Sequence, residues 1–280
     1  VRRLGTALAL TFIAQTASAQ ETSDWHFSVS PYAWLTNVSG SLTAQGHMVD
    51  VNAGLGDLFA KTDTLVALMA NLEARHDRWR LGLDVVYTNM VFTPSVAAQR
   101  NPVPWLNLSA SAGASVQSTL LIIEGSAAYE LAHLDDATTI EGLVGVRYWH
   151  AVTDMTFGFT ATGTINTPGD AGLSRSGGLA VAGTGNMDWA DPIVGAQLWR
   201  DLAPHHRLRL RGDIGGGIGS QFTWQAFAGY SYEFSPGPTA WAATLGYRAL
   251  GVTYGAGSGA DSRSLDLVMH GPVLGVSYRF

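Results

Sequence analysis

The chain reads as an all-β protein: an antiparallel transmembrane β-barrel of about ten strands that follows a cleaved signal peptide. Three observations predict this. Period-two segments recur along the 280 residues, with apolar side chains on one parity and charged or small ones on the other. The alternation runs to the last residue, through Leu274, Val276, Tyr278 and Phe280. Strands that meet lipid on one face and a polar lumen on the other alternate in this way. Finally, mean hydropathy is slightly positive, yet no apolar run reaches the roughly 20 residues of a membrane helix.

The first nineteen residues read as the signal. Val1-Arg2-Arg3 is positive, Leu4 to Ala14 is a short apolar core, and Ala17-Ser18-Ala19 is a small-residue exit. That leaves residues 20–280 as one barrel domain. With 16 basic and 22 acidic residues the formal net charge is −6, and loss of Arg2 and Arg3 makes the mature chain more acidic still. No basic stripe exists to neutralise phosphates, so nucleic acid is excluded as a partner. Lys61 is the single lysine and there is no cysteine, so disulfides and thiolate metal sites are excluded.

Ten strands are predicted in order, over 25–36, 64–76, 79–91, 115–131, 137–152, 189–201, 206–218, 221–234, 238–253 and 265–280. Most are long enough to cross a bilayer as tilted strands of about 9–11 residues. Short turns join them at one end: His76-Asp77-Arg78, His133-Leu134-Asp135-Asp136, Ala203-Pro204-His205 and Ser235-Pro236-Gly237. Long Gly-, Ser- and Thr-rich segments follow the first, third and fifth strands at the other. Bacterial barrels pair short periplasmic turns with longer outer loops. Only the connection near Gly219-Ser220 is short where a long one is expected. Ser41 to Asn52 reads as a small hairpin around Gln45-Gly46, and Leu55 to Lys61 as a short helical turn series. The segment folds into the mouth as a constriction, extends the wall above the membrane, or, with Met48–Asn52 in an extra pair of strands, raises the strand count to twelve. The stretch from Thr160 to Gly185 reads as a mobile outer loop.

Facing follows from parity. Trp79, Leu81, Leu83, Val85 and Tyr87 oppose Arg80, Gly82 and Asp84. Likewise Leu208, Leu210 and Ile214 oppose Arg207, Arg209, Arg211 and Asp213. An arginine facing lipid at mid-membrane costs roughly 2–4 kcal/mol, and the charges accordingly keep to one parity within each strand body. A soluble sandwich also alternates, but its aromatic-ended stripe would need a dry partner on every strand. Trp25, Trp79, Tyr129, Tyr148, Tyr232, Trp241 and Tyr278 fall at strand ends, where amphipathic rings favour the membrane–water boundary.

Two resemblances follow from particular residues. Gly275-Val276-Ser277-Tyr278-Arg279-Phe280 resembles the C-terminal signal read by the outer-membrane assembly machinery, on Gly275, Val276, Tyr278 and Phe280, with Val273 where a polar residue is usual. The chain as a whole resembles a group of uncharacterised Gram-negative outer-membrane barrel proteins. That likeness rests on Pro31-Tyr32-Ala33-Trp34, Trp189-Ala190-Asp191-Pro192-Ile193-Val194-Gly195, Gly212-Asp213-Ile214-Gly215-Gly216, Phe222-Thr223-Trp224-Gln225, Leu245-Gly246-Tyr247-Arg248 and Gly271-Pro272-Val273-Leu274-Gly275. It implies outer-membrane location, lipid around the barrel and the assembly machinery as a partner during biogenesis. No catalytic residue, metal or cofactor is carried over.

The candidate site is the lumen charge network: Glu73, Arg75, Arg80, Asp84, Glu124, Glu141, Arg147, Asp191, Arg209, Arg211, Asp213 and Arg248. In a narrow barrel these meet across the interior, where buried charges must pair. They form either a salt-bridged plug or a narrow polar pore for small solutes. His150, Asp154, Asp188 and Asp191 gather near the outer rim, but His150 lies on the lipid-facing parity. The expected function is a non-enzymatic envelope protein, a narrow pore or a structural or surface protein. The rivals are a rim enzyme with an acidic site and a loop-mediated adhesin.

Overall fold

A computed structural model describes residues 25–44, 47–54, 64–92, 95–103, 106–165, 173–234, 239–256 and 263–280. The signal segment and the helical series at 55–61 lie outside them. The described residues contain no helix. Their strands are β1 (Trp25–Trp34), β2 (Asn37–Ala44), β3 (His47–Ala53), β4 (Thr64–His76), β5 (Trp79–Phe92), β6 (Ser95–Val103), β7 (Leu106–Asp135), β8 (Thr138–Ile165), β9 (Leu173–Ala203), β10 (His206–Gly215), β11 (Phe222–Glu233), β12 (Ala240–Ala256) and β13 (Arg263–Arg279).

Ten of these close into an antiparallel barrel, in the order β1-β4-β5-β7-β8-β9-β10-β11-β12-β13 and back to β1. Closure leaves no unbonded edge to meet hydrocarbon. Leu68, Val144, Val194, Ile214 and Leu245 stand outward at 54–60% exposure. At the short-turn end the outward rings form a chain: Trp79 meets Tyr129 at 4.8 Å, Trp241 meets Tyr278 at 4.7 Å, and Phe27 meets Phe280 at 6.0 Å.

The hairpin β2–β3 extends the wall and adds no barrel strand. β1 runs beside β13 up to Trp34 opposite Val273, then β2 takes its place from Asn37 opposite His270. Gly271 sits at this handover, where a Cβ would lie 1.9 Å from the Leu35 carbonyl oxygen. A similar handover puts β6 beside β7 once β5 has ended at Phe92.

Two expectations are corrected. The strands expected at 115–131, 137–152 and 189–201 are 30, 28 and 31 residues long, and they pair as far as Leu106 with Ile165 and Ile165 with Leu173. Residues 160–165 and 173–185 are therefore ladder. Alternation reports a difference between lipid and lumen, and beyond the membrane both faces meet water. The ribbon is rich in Ser, Thr, Ala and Gly, and its short apolar alternation, Met155, Phe157 and Phe159, falls in a segment expected to be a long connection. The strand expected at 206–218 stops at Gly215, because Gly216 and Gly217 adopt φ of 116° and 85°. The six residues that follow fold onto the wall: Gly216 N–H donates to the Pro192 carbonyl, and Ser220 N–H donates to Asp191.

Candidate functional site

Along each strand the inward residues change chemistry with height. On β8 they run Glu141, Leu143, Gly145, Arg147, Trp149; on β12 Arg248, Leu250, Val252; on β13 Ser277, Gly275, Val273. Three storeys result: a cavity at the short-turn end, a layer of charges, and an apolar plug towards the long connections.

The charge layer joins five arginines to five carboxylates. Arg147 is fully buried. Its Nε and Nη2 donate to Glu124 Oε2 at 3.0 and 2.6 Å, Nη2 also to Asp213 Oδ1 at 2.7 Å, and Nη1 to Thr223 at 3.2 Å. Arg211 joins the same acids, with Nε 2.9 Å from Asp213 Oδ2 and Nη2 against Glu124. Arg248 reaches Asp84 at 2.8 Å and Tyr32 at 3.0 Å, and Tyr32 donates to Asp84 at 2.9 Å. Nearer the periplasm, Arg80 spans Glu73 and Glu141, each at 3.1 Å, while Arg209 donates to Glu73 at 2.8 Å and to Gln197 at 2.9 Å. Opposite charges match in number, so the layer is neutral and gives no sign for a permeating ion to follow.

Two of the twelve sequence-predicted charges stand apart. Arg75 lies at the periplasmic mouth, 44% exposed, 3.9 Å from Glu130. Asp191 is buried, but it accepts from the Trp189 indole at 3.0 Å and from Ser220 N–H at 2.7 Å.

Above the charges lies the storey that the sequence reading missed. Trp34, Met69, Val86, Ile122, Trp149, Trp189, Leu250, Val252, Leu265, Met269 and Val273 form one buried cluster inside the barrel. Trp149 stacks on Trp189 at 5.5 Å, and Trp189 on Tyr254 at 4.4 Å. Packed at 0–9% exposure, these side chains are themselves shielded from water by the described residues around them. The signal was present: on several strands the inward residue just beyond the charge is apolar. It also accounts for Val273, the departure from the C-terminal pattern, which points into the plug. Gly275 lines the lumen, whereas Val276 and Phe280 stand outward.

Below the charges a cavity of about 690 Å³ opens at the short-turn end, reaching down to Pro204, His205 and His206. At the outer rim His150 and Tyr148 both bond Asp188 Oδ1, at 2.5 and 2.9 Å, on the outer face. Asp191 faces inward, so Asp188 and Asp191 do not share a site.

Closure, an apolar exterior, a ring of aromatics and an even strand number define a bacterial outer-membrane barrel, and the protein resides in that membrane. No family model matches the chain, and no curated protein matches it. Among solved structures it is similar to the translocator domain of the autotransporter NalP from Neisseria meningitidis, at 12% identity, TM-score 0.31, covering 93% of this chain and 90% of that one. It is also similar to a FadL homologue from Pseudomonas aeruginosa (9%, TM-score 0.29, 91% and 90%) and to Ail, the attachment invasion locus protein of Yersinia pestis (9%, 0.26, 91% and 98%). At these TM-scores the likeness says nothing of function, and the assignment to the outer membrane rests on the barrel's own closure and exterior.

Proposed function

We propose that the protein is a non-conducting, non-enzymatic barrel of the outer-membrane surface. The observation that carries this reading is the double seal, a neutral layer of paired charges under a dry aromatic plug. An ion crossing it would have to be desolvated among apolar rings. The rim carboxylates face opposite sides of the wall, which supports a role without catalysis. The β7–β9 ribbon supports the surface role, since strands of 28–31 residues far exceed the about 9–11 that a crossing needs.

Planar-bilayer recording tests it. The unaltered protein passes no unit current, and a Trp149→Ala, Trp189→Ala double variant combined with Arg147→Ala does. A steady unit current from the unaltered protein would overturn the reading and restore the narrow pore.

A further inference from the structure

The periplasmic cavity is a dead end under the closed-lumen reading, and the inference below rests on that. Six arginines line it against four carboxylates. Each of these arginines has a carboxylate in ion-pair reach on or just behind the wall, but Arg209 holds its carboxylate only in share. Its carboxylate partner, Glu73, is shared with Arg80, and its second partner is only the neutral Gln197. Its Nε is buried with no hydrogen-bond partner. The guanidinium is also held between two rings, 4.6 Å from the centroid of Trp199 and 6.0 Å from that of Phe227. An arginine fixed by stacking, with its one carboxylate shared, is preorganised for a further carboxylate.

The opposite wall supplies the room. On β12 and β13 the inward residues Ala242 and Thr244 sit beside Ser277 and Gly275, and β1 adds Ser28 and Ser30. Small side chains there face Trp199, Phe227 and Arg209. The volume, about 690 Å³, matches pockets that hold small organic ligands. Its walls combine apolar surface with a few fixed polar groups, the usual division between holding a ligand's body and orienting its charge.

We propose that this vestibule is a binding site for a small organic anion with an apolar body, entered from the periplasm, with its carboxylate on Arg209 and its body between Trp199 and the small-residue wall. The site neither transports nor transforms its ligand, because the charge layer and plug close it above.

Saturation-transfer NMR on the full chain in a nonionic detergent tests this, with benzoate and 2-naphthoate as probes and benzamide and 2-naphthamide as uncharged controls. Both acids are expected to give saturable signals, with each amide roughly tenfold weaker. Arg209→Gln lowers acid affinity by roughly tenfold and leaves the amides unchanged. Ala242→Phe, which fills the cavity beside Glu233 without replacing any charged residue, abolishes the signals. Heat-modifiable gel mobility shows that each variant has folded. Acid and amide binding equally, neither acid saturating, or signals untouched by Ala242→Phe would each overturn the proposal. Vesicles loaded with the same acids keep the two readings apart. Leakage faster than from protein-free vesicles sinks the closed lumen and leaves the binding site standing, whereas absence of saturable binding does the reverse.

Discussion

Arg147 shows how much of this barrel hangs on single side chains. It sits at 0% exposure and donates to Glu124, Asp213 and Thr223. Replacing it with methionine leaves two buried carboxylates with Arg211 alone between them. Removing one partner of such a group costs about 3–5 kcal/mol, because the remaining charge stays desolvated. Arg147→Met is therefore expected to lower the free energy of unfolding from vesicles by about that much, read from urea titrations, while the exposed pair Arg207–Asp201 can be broken for under about 1 kcal/mol. Which residues face inward was legible in the sequence, because parity shows it. Who pairs with whom was not. Arg248 and Asp84 meet across the lumen from positions 164 residues apart, and no local pattern encodes that meeting.

At the scale of elements, the spanning parts of the strands were legible and their extensions were not. Each spanning segment has a greasy face and a lumen face, and its boundaries follow. The upper halves of β7, β8 and β9 are joined by continuous ladder pairing and are rich in Ser, Thr and Gly. They contribute little to the barrel below. Trimming β8 and β9 back to the paired positions Thr153 and Gly185, joined by a short glycine-serine linker, is expected to leave heat-modifiable gel mobility intact and the unfolding free energy from urea titration within about 1 kcal/mol of the parent. A large loss of stability would mean that the ribbon braces the wall. The β10–β11 connection behaves oppositely. It is short because it folds down onto Trp189 and Asp191, and a Cβ at Gly219 would lie 2.8 Å from the Trp189 side chain.

For the whole molecule, the sequence describes a cylinder that is apolar outside and charged within, and the structure divides that interior by height. The apolar inward residues escaped notice because hydrophobicity on the lumen parity looks like noise in an alternating pattern. It becomes a pattern only when ten strands are aligned in register. The closure itself is also a matter of the whole chain. Phe27 and Phe280 exchange two backbone hydrogen bonds, each 2.9 Å, and their rings pack together. Deleting Phe280 removes both bonds and the packing. The expected cost is roughly 1–3 kcal/mol, together with slower folding into vesicles, measured by the appearance of the heat-modifiable form.

The seam between β1 and β13 also sets a timetable. A ribosome makes the β1 half of this clasp well before the β13 half. Until the second half emerges, the first spanning strand carries a naked row of amides that water accepts and oil refuses. Immersion must wait until β13 has been made and has met β1.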